Sequence, residues 1–246
     1  MLIAFLADIH ANELALEACL RKIAERGAEK IVCLGDIVGY AADPEVVTER
    51  VMVLQQNGAI IVKGNHDHAI ASHRETMNEA AKRAIEWTRP RLNMAQKEFL
   101  ANLPMTVEEE GRLYVHADAS DPTRWNYVRG IDQARISLEA TNASITFWGH
   151  VHVPALYCLS PTEKLISHTP VTDIPMPVGS HRKWLAVVGS VGQPRDHKPS
   201  ASFTTFETEE RILTYHRAAY DVDEAAARIR RAGLPDMSAV RLKIGR

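Results

Sequence analysis

Cysteine is scarce in this chain. Cys19, Cys33 and Cys158 make an odd set, and none sits in a CxxC pair. That excludes a disulfide framework and predicts three buried thiols in a reducing compartment. Long apolar runs are missing too, and no stretch approaches the ~18 apolar residues of a membrane span. The opening "MLIAFLAD" lacks the basic start of a secretory signal, and its apolar run breaks at Asp8. It reads as a first strand, and a cytoplasmic location is the expectation. No charge excess exists either: 29 Lys+Arg stand against 31 Asp+Glu, a formal net charge of −2. A near-neutral chain does not advertise nucleic-acid binding. Repeats, low-complexity tracts and long linkers are also lacking. The 246 residues therefore read as one domain, 1–246, long enough to bury a core.

What is present alternates between strand and helix. Residues 2–7 form an apolar run ending in Asp8. Asn12 caps a helical pattern through Leu16, Cys19 and Ile23 that Gly27 ends. "KIVCLGD" is a second buried strand. Asp43-Pro44 then supplies a cap and a first-turn proline for a helix closing at Gly58. "AIIVKGN" is the third strand. This βαβαβ order predicts a parallel sheet with right-handed crossovers. Residues 78–103 read as helical with a break near Pro90, and a helix around 132–141 separates "LYVHAD" from "SITFWGH". Beyond about 155, short strands dominate ("ALYCLS", "KWLAVVGS", "SFTTFET", "RILTYHR"). An amphipathic helix over roughly 222–232 precedes a mildly basic tail. The fold class is α/β, with a parallel-type first half, a more antiparallel second half, and two facing sheets with helices outside.

Each apolar strand of this core ends in residues that bind metals. The first gives Asp8 and His10, the second Asp36, the third Asn65 and His66. "LYVHAD" gives His116, and "FWGHVH" gives His150 and His152. Ligands in open α/β sheets bind at the carboxyl ends of strands. Strands that end together therefore gather these residues. Carboxylate, imidazole and amide donors without thiolate suit Mn, Fe, Zn, Ni or Co. Asp36 has two oxygens and is able to bridge two ions. Spacing alone allows several partitions of the donors.

Five blocks together resemble the calcineurin-like metallophosphoesterases: "DIH" at 8–10, "GDIVG" at 35–39, "GNHD" at 64–67, His116 in "VHAD", and "GHVH" at 149–152. "ADIHAN", "GDIVGYAADP" and "GSVGQPRD" resemble one bacterial branch, grouped with dinucleoside tetraphosphatases, serine/threonine phosphatases or small phosphodiesterases. The resemblance implies a four-layer αββα sandwich and a centre of two divalent transition-metal ions. It groups Asp8, His10, Asp36 and His152 around one ion, and Asp36, Asn65, His116 and His150 around the other. Such a centre holds its ions about 3.5–4 Å apart and activates water against a phosphate ester. His66, directly after a ligand, is then the general acid or transition-state donor.

Departures from the pattern assign further roles. Serine/threonine phosphatases of this superfamily carry an Asp-Arg pair after the second block. Gly39 and Tyr40 stand there instead. Asp67 is the candidate to orient His66, and Arg195 the candidate cation for phosphate. The loop "SDPTRWNYVRG" offers Trp125 and Tyr127 to the substrate rim. His68 reads as loop or support, His73 as exposed. His168, His181, His197 and His216 match no block and read as surface or rim, while Trp87, Phe99 and Trp184 read as core.

The functional expectation is a metal-dependent phosphoesterase acting on a small phosphate ester, a nucleotide or a dinucleoside polyphosphate, diester or monoester. A protein phosphatase is the alternative, and the missing Asp-Arg pair argues against it. A nuclease meets the near-neutral charge as an objection. A non-catalytic scaffold meets the complete ligand set. Oligomeric state is not encoded in any pattern found.

Overall fold

The computed structural model describes residues 1–72 and 77–246, so the reading of His73 lies outside the described residues. Strand β1 (Leu2–Leu6) shows why the chain builds layers. Successive side chains of a strand face opposite ways. Ile3 and Phe5 enter one core cluster while Ala4 and Leu6 enter another, so β1 is apolar on both faces. Helix α1 (Glu13–Glu25) starts at Asn12, whose side chain accepts the Ala15 N–H at 3.2 Å. Strand β2 (Lys30–Cys33), helix α2 (Pro44–Gln56) and strand β3 (Ile60–Ile61) follow, and β1, β2 and β3 pair in parallel as the βαβαβ order predicts. Asp43 departs from expectation. It makes no side-chain cap bond, because its carboxylate lies 3.2 Å from the Arg228 guanidinium.

After β3 come α3 (Asn65–Ala71), α4 (Glu79–Thr88) and α5 (Met94–Asn102), the last two divided around Pro90. Strands β4 (Thr106–Glu109) and β5 (Arg112–Val115) form a hairpin. A 3-10 turn (Pro122–Arg124) and α6 (Ile131–Glu139) lead to β6 (Ile145–Trp148) and β7 (Ala155–Leu159). Then come β8 (Leu165–His168), β9 (Met176–Pro177), β10 (Lys183–Val187), β11 (Ala201–Glu207) and β12 (Ile212–Ala218). Helices α7 (Val222–Arg231) and α8 (Asp236–Ile244) end the chain. The sequence reading has no counterpart for β4, β8, β9 or α8.

Two mixed six-stranded sheets result, ordered β3-β2-β1-β11-β12-β9 and β4-β5-β6-β10-β7-β8. The halves of the chain do not map onto the sheets. β11 and β12 return to the first sheet beside β1, and β10 runs parallel to β6 in the second. Between the sheets Phe5 stacks on Phe147, with ring centroids 3.8 Å apart. Lys30 and Glu109 tie the sheets at their margin with a 2.7 Å ion pair. Outside the first sheet lie α1, α2, α3 and α5, and outside the second lies α6. The layering is the expected αββα sandwich. An alanine-rich cluster packs α7 and α8 against α4 and against Ala11 and Tyr40, in the loops that follow β1 and β2.

Trp184 is buried as expected. All three cysteines are free and buried, and burial pushes the Cys33 thiol up to about 12, away from reactivity. No described helix is long and apolar enough to cross a membrane. The carboxyl ends of β1, β2, β3, β5 and β6 all carry the residues singled out in the sequence.

Candidate metal centre

The strand ends converge as anticipated. Asp8, His10 and His152 bring ligand atoms within 4.8 Å of one another, and so do Asp36, His116 and His150. In the first group His152 Nε2 is 3.3 Å from Asp8 Oδ1 and 3.1 Å from His10 Nε2. In the second, His116 Nε2 is 3.1 Å from His150 Nδ1 and 3.2 Å from Asn65 Oδ1. One atom lies near a histidine of each group. Asp36 Oδ2 lies 3.7 Å from His10 Nε2 and 3.5 Å from His116 Nε2. Asn65 is half-buried and the other six are buried.

Main-chain carbonyls set the direction of each imidazole. His10 Nδ1 meets Val38 O at 3.1 Å, His116 Nδ1 meets Leu34 O at 2.7 Å, and His152 Nδ1 meets Gln193 O at 2.7 Å. His150 is reversed: Nε2 meets Trp125 O at 2.9 Å, leaving Nδ1 inward. A carbonyl only accepts, so each ring places an N–H there and turns its other nitrogen into the centre. This is the outer support that metal-ligating histidines characteristically have. The lone pairs of His10 and His152, facing across 3.1 Å, repel unless a cation lies between them, and nitrogens sharing an ion at ~2.1 Å span such a separation. The donor set therefore fits a divalent metal.

The backbone carries a second sign. Asp8, His10, Asp36, His150 and His152 all have φ between 50 and 64°. Left-handed backbone costs a non-glycine residue about 1–2 kcal/mol and gathers at functional sites. Five of the seven candidate ligands adopt it. The strain is held by bonds such as His10 N–H to Asp36 O at 2.9 Å and Gly192 N–H to Asp8 O at 2.9 Å.

His66 sits at the edge of this centre, with Nε2 3.9 Å from Asp36 Oδ2 and its main-chain N–H donating to Asp36 Oδ1 at 2.8 Å. Asp67 does not orient it. The Asp67 carboxylate accepts the N–H groups of Asp36, Ile37 and Gly64 at 2.8–2.9 Å and of Val38 at 3.3 Å. It braces the loop that presents Asp36. Among the described residues, His66 Nδ1 has no hydrogen-bond partner. Its ring is held by packing, with centroids 4.7 Å from Tyr40 and 4.8 Å from His10. Gly64 makes the neighbouring approach possible. Its backbone is extended, and what it supplies is closeness: a Cβ there would lie 2.2 Å from Asp36 N.

A cavity of ≈450 Å³ opens onto the centre between Asn65, His66 and His150 on one side and Arg124, Trp125 and Tyr127 on the other. Trp125 and Tyr127 thus reach the rim, and Tyr127 stacks on His150 at 4.1 Å. Arg195 is half-buried, 5.7 Å from the Tyr40 ring, and its main-chain N–H donates to His152 O at 3.1 Å. His216 lies elsewhere and is buried rather than exposed, bonded to Thr205 at 2.8 Å and Asp173 at 2.5 Å. The sequence reading passed over Tyr40 as a packing partner and over the carbonyls of Leu34, Val38, Trp125 and Gln193. Backbone acceptors leave no trace in residue type, so only the fold reveals them.

Burial dominates the charges of these protein groups. It pushes His150 down to about 3 and His66 to about 4, and it lowers His10 and His152, so these imidazoles are neutral at pH 7. Burial also opposes charge on His116, but Asp36 and Asp8 reverse it and hold His116 up to about 9. Asp36 stays well below the usual carboxylate range, because its histidine neighbours outweigh its burial. Neutral imidazoles facing carboxylates are the form a metal binds, and a metal binding at His116 displaces its second proton.

The calcineurin-like phosphoesterase superfamily domain matches residues 1–211. An uncharacterized protein of Methanocaldococcus jannaschii is 32% identical over 251 aligned positions, spanning 100% of this chain and 98% of that one. The crystal structure of a metallophosphoesterase from Sphaerobacter thermophilus superposes with a TM-score of 0.87 at 33% identity, over 100% of this chain and 99% of that one. A hypothetical protein from Pyrococcus horikoshii shares the fold, with a TM-score of 0.80 at 20% identity over 100% and 98% of the two chains. With its paired sheets and gathered strand-end carboxylates and imidazoles, the chain belongs to the calcineurin-like phosphoesterase superfamily and is a hydrolase of phosphoric esters.

Proposed function

We propose that this protein hydrolyses a small phosphate ester or nucleotide at a centre of two divalent transition-metal ions. The position of Asp36 Oδ2, near both His10 and His116, carries the reading. Asp8, His10, Asp36 and His152 hold one ion, and Asp36, Asn65, His116 and His150 hold the other. Bound there, such ions lower the pKa of water to about 7 and draw charge from phosphoryl oxygens.

The chain's own residues do the rest. Arg195 supplies a fixed cation for the phosphate beside the His152 loop. His66 lines the cavity, and its neutral ring offers an N–H to the leaving oxygen. The negative charge of a bound phosphate favours protonation of that ring, which suits it to donate. Asp67 acts through the backbone, fixing the loop of Asp36. Three free buried thiols support a reducing, cytoplasmic setting.

Metal analysis of protein purified with added Mn should give about two ions per chain, the number of a two-metal centre. The same protein should hydrolyse bis(4-nitrophenyl) phosphate. One ion per chain at saturation would refute the shared role of Asp36. Metal-replete protein inert toward diesters, monoesters and nucleotides would refute the hydrolysis.

A further inference from the structure

A second cavity, of ≈360 Å³, lies beside the first. That volume is within the ~300–1,000 Å³ of small-ligand pockets. Its walls are of a different kind. Val128, Val151, Val153 and Tyr157 make an apolar lining, and Arg129 and Arg195 stand among them. The two cavities share their partitions. Tyr127 lines the first and Val128 the second, and His150 lines the first and Val151 the second. The apolar cavity is thus walled by the same loops that hold candidate metal ligands.

Both arginines connect it to the centre. Arg129 lies over the Tyr127 ring at 4.2 Å, and Tyr127 stacks on His150. Arg195 donates from Nη2 to Gln193 Oε1 at 2.9 Å, while its buried Nε has no partner among the described residues. A buried guanidinium N–H left unpaired is costly and calls for an acceptor. An anion at the centre with an apolar group attached meets all three features: the free donor, the second cation and the apolar lining.

We propose that this cavity holds the retained ester group of a phosphodiester, an apolar or aromatic group, while the leaving alcohol occupies the cavity lined by His66. The assignment rests on the phosphoesterase reading and narrows it to diesters. In the reaction, the oxygen of water bonds to phosphorus and one P–O bond breaks. The leaving oxygen takes a proton. The product is a phosphomonoester still carrying the group held among the valines.

Two diesters with one leaving group test it: 4-nitrophenyl phenyl phosphate and 4-nitrophenyl methyl phosphate. The phenyl ester should show at least a tenfold higher kcat/KM, and Val153→Glu should lower it at least tenfold more than the methyl ester. Calorimetry on metal-loaded protein with methyl(phenyl)phosphinate and dimethylphosphinate, which cannot be hydrolysed, should show the same preference for phenyl and the same loss. Equal binding of the two phosphinates, or a preference that survives Val153→Glu, overturns the cavity assignment. Absence of hydrolysis with the binding preference intact overturns the phosphoesterase reading and leaves the cavity standing.

Discussion

His66 owes its place to a missing side chain. A Cβ on Gly39 would lie 2.2 Å from His66 Nδ1, so only glycine leaves room for this ring. Among the described residues Nδ1 has no hydrogen-bond partner, and the imidazole packs against Tyr40 and His10. Replacing His66 by alanine should leave metal content unchanged and lower turnover about 10²–10⁴-fold, the usual worth of a positioned acid. Metal analysis beside steady-state kinetics checks this, and a lost ion would move His66 into the ligand set. Residue types at strand ends made the candidate ligands and their gathering legible in the sequence, because carboxylate and imidazole advertise their chemistry. Asp67 shows the limit. Its type and its neighbour pointed to His66, but a side chain's direction depends on the local turn. At the start of α3 that turn aims the carboxylate at four backbone amides.

The β4–β5 hairpin shows what patterns miss at the scale of elements. β4 reads Thr-Val-Glu-Glu, polar and half exposed, so no apolar run marks it. Its value is at the margin of the sandwich, where Glu109 meets Lys30 at 2.7 Å and accepts from Tyr114 at 2.9 Å. Burial raises the Glu109 pKa, but Lys30 and Tyr114 outweigh it and hold the carboxyl below its ordinary value. A depressed carboxyl stabilises the fold above its unfolded pKa of about 4.3 and loses that contribution as pH falls through the folded value. Glu109→Gln should therefore lower stability at pH 7 by about 0.5–1 kcal/mol, the scale of a partly exposed pair. Urea titrations should show the gap closing on acidification. A gap constant with pH would assign the loss to packing. Longer elements were read well from period and caps, as α1 shows from Asn12. β9, at two residues, is too short to carry a period.

Across the whole molecule, strain and ligation balance. The left-handed turns at five candidate ligands cost several kcal/mol together, at about 1–2 kcal/mol each. A fold of ordinary stability has only about 5–15 kcal/mol in total. Ion binding at 1,000 times its Kd returns about 4 kcal/mol. In a chain of this length that corresponds to a Tm about 8–16 °C lower after chelation, read by calorimetry with and without EDTA. An unchanged Tm would mean that the protein lattice alone bears the strain. The sandwich followed from the family resemblance, and the parallel β1–β3 core was legible because strand and helix alternate in the first half. The return of β11 and β12 to the first sheet was not, since strand order depends on long-range pairing. Helices α7 and α8 lie beyond the matched residues 1–211, yet they pack on Ala11 and Tyr40, at the loops carrying His10 and shaping His66. A chain ending at residue 220 should therefore keep every ligand codon and still lose metal and solubility, measured by elemental analysis of the soluble fraction. In genetic terms, a late stop codon in this gene is an active-site lesion written far from the active site.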